Sequence, residues 1–210
     1  KGFFHKLIAY DNLLTGLRYL SSALSHHPYI GNGRNLSYRK ELFFKHKGYC
    51  QSLNLHAGDD DLFINEASTK ENTKVIYTPD SLTEMDPIER FGVWKEMKVS
   101  RAATQRYYKG NTSTFYHLES TCFFLFQASV IATVVIGLQG NWLISLIAIL
   151  LYLIRFIIKA IVFGKSARML QQNPTTGWLF LLEFIQPLFN GYIRIYRLFK
   201  SKKDYTFSLS

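Results

Sequence analysis

Residues Ser120–Leu138 (STCFFLFQASVIATVVIGL) and Trp142–Phe163 (WLISLIAILLYLIRFIIKAIVF) are two long apolar runs separated by only three residues. The first run contains no Asp, Glu, Lys or Arg, and the second is interrupted only by Arg155 and Lys159. A helix needs about 20 apolar residues to cross a hydrocarbon layer of about 30 Å. The pattern therefore predicts a membrane-spanning helical hairpin, and its length disfavours the alternative of a buried hairpin in a soluble protein.

Basic residues flank both runs at the ends away from the connecting turn. They are Lys95, Lys98, Arg101, Arg106 and Lys109 before the hairpin, and Lys165 and Arg168 after it. The positive-inside rule then predicts that both flanks are cytoplasmic. We expect an integral membrane protein of the bacterial inner membrane, with the parts on both flanks of the hairpin in the cytoplasm.

A third apolar stretch runs from Trp178 to Tyr196 and contains Glu183 and Pro187. A full crossing would leave its basic C-terminal residues outside the cell, against the positive-inside rule. We therefore predict an interfacial or re-entrant helical segment on the cytoplasmic side, broken near Pro187 and followed by a basic tail.

Charge divides the chain into parts. Residues 1–113 contain 16 Lys/Arg and 12 Asp/Glu, whereas residues 114–210 contain 9 Lys/Arg and only 3 Asp/Glu. We expect a soluble domain over 1–113, the hairpin over 114–163 and the interfacial segment with its tail over 164–210. The net charge of +10 is compatible with nucleic acid, but the cations flank apolar runs, so we predict membrane lipids as partners and no nucleic acid.

The two cysteines form no recognisable pattern. Cys50 and Cys122 have no metal-binding spacing, and Cys122 lies in an apolar run. Free thiols in a reducing compartment are the prediction.

Local patterns within the first domain predict three elements. Apolar spacing over Phe3–Leu24 indicates an amphipathic helix that packs on a core or lies on a membrane surface. The β-branched and aromatic segment Lys74–Thr78 (KVIYT) indicates a strand. Glu89–Tyr108 indicates a long polar helix with one apolar side.

Three consecutive aspartates in Gly58–Phe63 (GDDDLF) are the strongest chemical signal. Adjacent carboxylates suit a general base or a ligand for a divalent cation. Aspartates at a solvated helix N-terminus, stabilised by the helix dipole, are the alternative of equal weight.

These aspartates follow the glycine-rich turn Gly31–Arg39 (GNGRNLSYR) and precede a basic helix and the hairpin. That order resembles membrane-anchored family 2 glycosyltransferases with a GT-A fold, the group of hyaluronan, cellulose, chitin and poly-N-acetylglucosamine synthases. The resemblance implies an α/β fold: the C-terminal, acceptor-side half of a GT-A nucleotide-diphospho-sugar transferase domain over 1–113.

The resemblance also implies roles for individual residues. The catalytic base falls on Asp60 or, in the other register, on Asp59. The substrate-binding residues it implies are Gly33, Arg34, Asn35, Asp61, Trp94, Lys98 and Arg101. In this family a Gln-x-x-Arg-Trp element binds the diphosphate of the donor. This sequence lacks that element, since the corresponding positions hold Met97, Ser100 and Arg101. Arg155 and Lys159, four residues apart on one helix face, either reach the membrane surface or hold the phosphate of a lipid-linked acceptor.

The family's nucleotide pocket and its Asp-x-Asp metal motif precede the glycine-rich turn, and residues 1–29 contain neither. We expect them upstream in the same protein or on another chain, so that this chain alone is inactive. The full-length enzyme is expected to use Mg or Mn, with no metal ligand in this chain.

The sequence thus predicts inverting transfer of a sugar from a nucleotide-sugar donor to a glycan or lipid-linked acceptor at the cytoplasmic membrane face. One alternative is a non-catalytic membrane scaffold with a partial GT-A domain. Another is a basic membrane protein that binds anionic lipid or nucleic acid.

Overall fold

The computed structural model describes residues 2–50, 52–53, 55, 58–110, 112–173 and 175–199. The described residues form seven α-helices and no strand. The helices are α1 (Phe3–Leu24), α2 (Lys40–Lys45), α3 (Asp61–Ala67), α4 (Phe91–Thr104), α5 (Thr112–Gln139), α6 (Trp142–Met169) and α7 (Leu179–Leu198). The predicted helix at Phe3–Leu24 is confirmed, and the basic tail predicted beyond Phe199 lies outside the described residues.

Helices α5 and α6 form the predicted hairpin. Asn141 caps α6 by accepting a hydrogen bond from the Leu143 N–H at 3.0 Å. The two helices approach closely at Gly137, where a Cβ atom would lie 2.7 Å from the backbone nitrogen of Ser145. Both helices are long and apolar enough to cross a membrane, and only 6% of the residues in each apolar window are buried.

Helices α1, α4 and α7 pack together against the C-terminal part of α6. Their shared core contains Leu7, Tyr10, Leu13, Trp94, Phe163, Ala167, Leu179 and Leu182. Each helix buries apolar side chains in this core, while other apolar side chains, such as Val93 of α4 and Leu188 and Ile195 of α7, stay exposed. The hairpin therefore stands on a base of three packed helices.

Helix α7 is continuous through Pro187. A proline inside a helix removes one backbone hydrogen bond and usually kinks the chain. Here the neighbours Leu179, Leu182 and Glu183 are fully buried against the other helices. Tertiary packing therefore keeps the helix intact, and the predicted break near Pro187 is wrong.

Helices α2 and α3 belong to a smaller cluster. Phe63, Ile64 and Ala67 of α3 are buried against partly buried side chains that include Phe43 and Tyr49. This cluster supports the loops that carry the aspartates.

The predicted α/β fold, the C-terminal half of a GT-A domain, is wrong, because the described residues contain no sheet. The predicted strand at Lys74–Thr78 is wrong, because this segment has no regular secondary structure and pairs with no strand among the described residues. Ile76 is 67% exposed there. A β-branched segment becomes a strand only where a neighbouring strand completes its hydrogen bonds and a core covers one face.

Candidate functional site

The three aspartates diverge from a turn that requires glycine. Gly58 has φ +116°, and a Cβ atom there would lie 2.7 Å from Leu62 Cδ1. The turn leaves Asp59 exposed, Asp60 half-buried and Asp61 buried. Three adjacent carboxylates therefore have three different environments, which separates their possible roles.

Asp60 joins the acidic loop to the glycine-rich loop. Its Oδ2 accepts a hydrogen bond from the Gly33 N–H at 2.7 Å, and its Oδ1 accepts one from the Asp61 N–H at 2.8 Å. A Cβ atom on Gly33 would lie only 3.2 Å from Asp60 Cβ and from Oδ2. The glycine thus permits the close approach, and the carboxylate is held in a defined orientation.

Asp61 connects α3 to the end of α4. Its Oδ2 accepts hydrogen bonds from Thr104 Oγ1 and from the Tyr108 hydroxyl, both at 2.7 Å. The residue is 5% exposed. Burial raises the pKa of Asp61, and the two hydroxyl donors oppose that shift. In this arrangement Asp61 supports the aspartate loop from inside, although a substrate-binding role was predicted for it.

The glycine-rich loop is exposed at Gly33, Arg34 and Asn35. Asn35 Nδ2 donates to the carbonyl oxygen of Ser81 at 2.7 Å. Arg34 Nη1 contacts the sulfur of Met85 at 2.6 Å. These contacts hold the loop beside Asp60.

Two tyrosines that were not among the predicted site residues lie beside the acidic loop. The Tyr38 and Tyr49 hydroxyls are hydrogen-bonded at 2.5 Å. This bond raises the pKa of Tyr49 to about 12, with smaller contributions from burial and from the charges of Asp59 and Asp60. The rings of both tyrosines pack against Phe43 and Phe63, so the aromatic cluster holds the two hydroxyls beside the aspartates. Tyr38 belongs to the glycine-rich motif, so its position in that motif could have identified it from the sequence.

The predicted binding residues of α4 separate into two groups. Trp94 is 2% exposed and stacks on Phe189, with ring centroids 4.4 Å apart. Lys98 Nζ lies 2.8 Å from both carboxylate oxygens of buried Asp11. Both side chains are therefore engaged in contacts between α1, α4 and α7. Arg101 is partly exposed, and within the described residues its side chain has no ion-pair or hydrogen-bond partner.

Arg155 and Lys159 both pair with Glu183 of α7. Arg155 Nη2 lies 2.7 Å and Lys159 Nζ 3.0 Å from Glu183 Oε1. Glu183 is 1% exposed. The two predicted phosphate ligands thus share one carboxylate, which offsets one of their two positive charges. An acidic residue within an apolar stretch needs a partner, so Glu183 was the sequence signal for this pairing.

No group of three His, Cys, Asp or Glu side chains in the described part of the chain is arranged to hold a metal ion. Asp60 and Asp61 direct their oxygens at backbone and hydroxyl donors instead. Mg or Mn stays a prediction for the full-length enzyme, with its metal motif expected outside this chain.

Comparisons with protein families, characterised proteins and solved structures found no match to this chain. The functional assignment therefore rests on its own residues and their geometry.

Proposed function

We propose that this chain contributes the acceptor-side base to the inverting transfer of a sugar from a nucleotide-sugar donor to a glycan or lipid-linked acceptor. The observation that supports this most is the hydrogen bond from the Gly33 N–H to Asp60 Oδ2 at 2.7 Å. It joins two motifs that lie 27 positions apart and that resemble neighbouring elements of family 2 glycosyltransferases. One residue of each motif, Gly33 and Asp60, is thus in direct contact, which supports the proposal.

Asp60 has the geometry that a general base needs. Two backbone N–H groups fix its carboxylate, and each oxygen has further lone pairs that can accept a proton. The acceptor hydroxyl gives its proton to Asp60 while its oxygen forms a bond to the anomeric carbon of the donor. The bond from that carbon to the diphosphate breaks, and the nucleoside diphosphate leaves with the bonding electrons. This single displacement needs no covalent nucleophile.

Of the two α4 cations predicted to bind substrate, Arg101 is the one that can meet the charge of the leaving diphosphate. Its side chain has no anionic partner among the described residues, whereas Lys98 is bound to Asp11. A guanidinium can donate two parallel hydrogen bonds to a phosphate. The donor-binding part itself is expected outside this chain.

The site operates, in this proposal, on the cytoplasmic face of a bacterial inner membrane. The exposed apolar surface of α5 and α6 would be unfavourable in water. Basic residues lie beyond the hairpin at both ends away from the turn, which supports a cytoplasmic base under the positive-inside rule.

A non-catalytic membrane scaffold is the second candidate. It is favoured by the absence of a strand from the described residues and by the internal contacts of Trp94 and Lys98. Such a scaffold would use the acidic loop only for structure.

A panel of nucleotide sugars separates the two candidates. Membranes that contain the full-length protein are incubated with each donor, and release of nucleoside diphosphate is measured. Transfer from one donor, lost in an Asp60→Asn variant, supports the enzyme. If no donor is consumed by membranes in which the protein is folded and inserted, the scaffold replaces it.

A further inference from the structure

A groove of about 390 Å³ lies between α6 and the turn Thr176–Trp178. Two rows of side chains, each with a spacing of four residues, run along its floor on one face of α6. One row contains Ile157, Ile161 and Lys165, and the other contains Ala160, Gly164 and Arg168. Both rows begin apolar or small and end in a cation. The volume is within the range of about 300–1,000 Å³ typical of small-molecule sites.

The change from apolar to cationic coincides with the expected edge of the hydrocarbon layer. At 1.5 Å per residue, Ile157 and Ile161 lie about 22 and 28 Å along α6 from Trp142. Lys165 and Arg168 lie about 34 and 39 Å along it. A hydrocarbon layer is about 30 Å thick. With Trp142 at the far boundary, the apolar part of the groove is at acyl-chain depth and the two cations are at headgroup depth.

The charges at this end of the groove are available to a ligand. Lys165 and Arg168 have no carboxylate partner among the described residues, in contrast to Arg155 and Lys159 with Glu183. They are three positions apart, so both side chains project from the same face of α6. One phosphate group can therefore contact both.

The other wall of the groove carries features of a membrane interface. The Thr176 hydroxyl oxygen lies 3.7 Å from the position that a Cβ atom on Gly164 would take. The turn therefore approaches α6 closely at Gly164, which has no side chain. Trp178, two residues after Thr176, is partly exposed, and the Lys6 ammonium lies over its ring at 4.1 Å from the ring centroid. Tryptophan and lysine are enriched at the headgroup level of membranes.

We propose that this groove is a binding site for an anionic phospholipid. An acyl chain lies along Ile157 and Ile161, and the phosphate lies between Lys165 and Arg168. Basic pockets beside membrane helices on the cytoplasmic side recognise anionic headgroups by this combination of depth and charge. The inference rests on the membrane insertion in the proposed function, but it is independent of sugar transfer.

The test compares lipid binding by the full chain in a neutral detergent. Native mass spectrometry measures retention of phosphatidylglycerol and of phosphatidylcholine with matched acyl chains. The wild type should prefer phosphatidylglycerol, and Lys165→Gln with Arg168→Gln should reduce that preference roughly 30-fold, as expected for two cations near a membrane surface. Lys165→Arg with Arg168→Lys should keep it.

The matched control is Lys40→Gln with Lys45→Gln, which removes the same charge from exposed positions on α2. This control should bind like the wild type. Equal binding of both lipids by the wild type, or equal loss in the control, would overturn the site.

Inorganic phosphate is added in a parallel titration to distinguish the two sources of a phosphate group. Displacement of phosphatidylglycerol by millimolar phosphate would show that the site binds soluble phosphates, and the lipid assignment would then be wrong. Resistance of the chain to alkaline extraction from membranes is measured separately. A chain that stays inserted without a lipid preference contradicts this inference alone, whereas an extracted chain contradicts the membrane part of the proposed function.

Discussion

The Asp60 carboxylate accepts a hydrogen bond from the backbone N–H of Gly33 at 2.7 Å, and these two residues come from loops on opposite sides of α2 in the sequence. The contact brings the glycine-rich loop onto the aspartate loop. Asp61, the next residue, is tied to Thr104 and Tyr108 at the end of α4. One acidic segment therefore connects the exposed loop to the base of the hairpin.

Gly33→Ala should disturb the Asp60 carboxylate without unfolding the chain. The new Cβ atom would lie 3.2 Å from Asp60 Cβ and Oδ2, which is tight enough to displace the loop by a few tenths of an ångström. Since small misplacements of a catalytic group cost up to about 100-fold, the turnover number should fall about 10-fold or more at nearly unchanged helicity. Gly92→Ala is the control, because its Cβ would meet nothing within 4 Å. Equal turnover in both variants would contradict the account.

Asp61→Asn should change how stability depends on pH. Because burial raises the pKa of Asp61 in the folded chain, its contribution to stability is fully present below the unfolded pKa. That contribution is lost as pH rises through the folded pKa. The free energy of unfolding of the variant should therefore rise relative to that of the wild type as pH increases from about 4 to 7.

Denaturant titrations of the detergent-solubilised proteins at several pH values measure this difference. Asp80→Asn, at an exposed position, controls for the loss of a carboxyl group. If the wild type instead gains stability over Asp61→Asn with rising pH, the hydroxyl donors outweigh burial and the predicted direction of the change is wrong.

Arg101 and Lys98 should respond differently to substitution by alanine. Arg101→Ala should weaken binding of the nucleotide sugar to the full-length protein by about 1.5–3 kcal/mol, as for a hydrogen bond to a charged group. Lys98→Ala should instead lower the free energy of unfolding by about 3 kcal/mol, because it leaves the buried carboxylate of Asp11 without its cation. The exposed Arg106→Ala serves as the control for donor binding. Unchanged affinity in Arg101→Ala would assign that residue to a solvated helix face.

Glu183→Gln should detach α7 from the hairpin. The substitution leaves Arg155 and Lys159 without the one carboxylate that they share, and breaking a buried pair from one side costs about 3–5 kcal/mol. Thermal unfolding in detergent measures the loss. Adding Arg155→Gln and Lys159→Gln to the same chain should recover part of it, since no unpaired charge then remains. A triple variant no more stable than Glu183→Gln would show that the carboxylate acts through packing rather than charge.

The helices were predictable where one local pattern decides the structure. The hairpin follows from the length and uniform apolarity of Ser120–Leu138 and Trp142–Phe163, and α1 follows from apolar spacing. The Lys74–Thr78 strand was not predictable in this way, because strand formation depends on a partner that lies elsewhere in the chain. Its exposed Ile76 and Tyr77 find none among the described residues.

The candidate site was predictable only as a set of residues. The sequence indicated Asp59, Asp60 and Gly33, but not that Asp61 turns inward to Thr104. It also indicated cations at Lys98 and Arg155 without showing which carboxylates would reach them. Pairing across 87 positions, as between Asp11 and Lys98, depends on tertiary packing that no local pattern encodes.

The most direct test of the central claim compares Asp60→Asn with Asp59→Asn in the full-length protein. Both changes remove one negative charge from the same loop, but Asp60 is oriented by two backbone donors and Asp59 is exposed. The rate of transfer from the nucleotide sugar that supports turnover is measured with saturating donor. If Asp60 is the base, Asp60→Asn should lose roughly 100-fold or more in rate at nearly unchanged donor affinity, and Asp59→Asn should change little. Loss in Asp59→Asn alone would move the base to that residue, and wild-type rates in both variants would contradict the claim that this loop supplies the base.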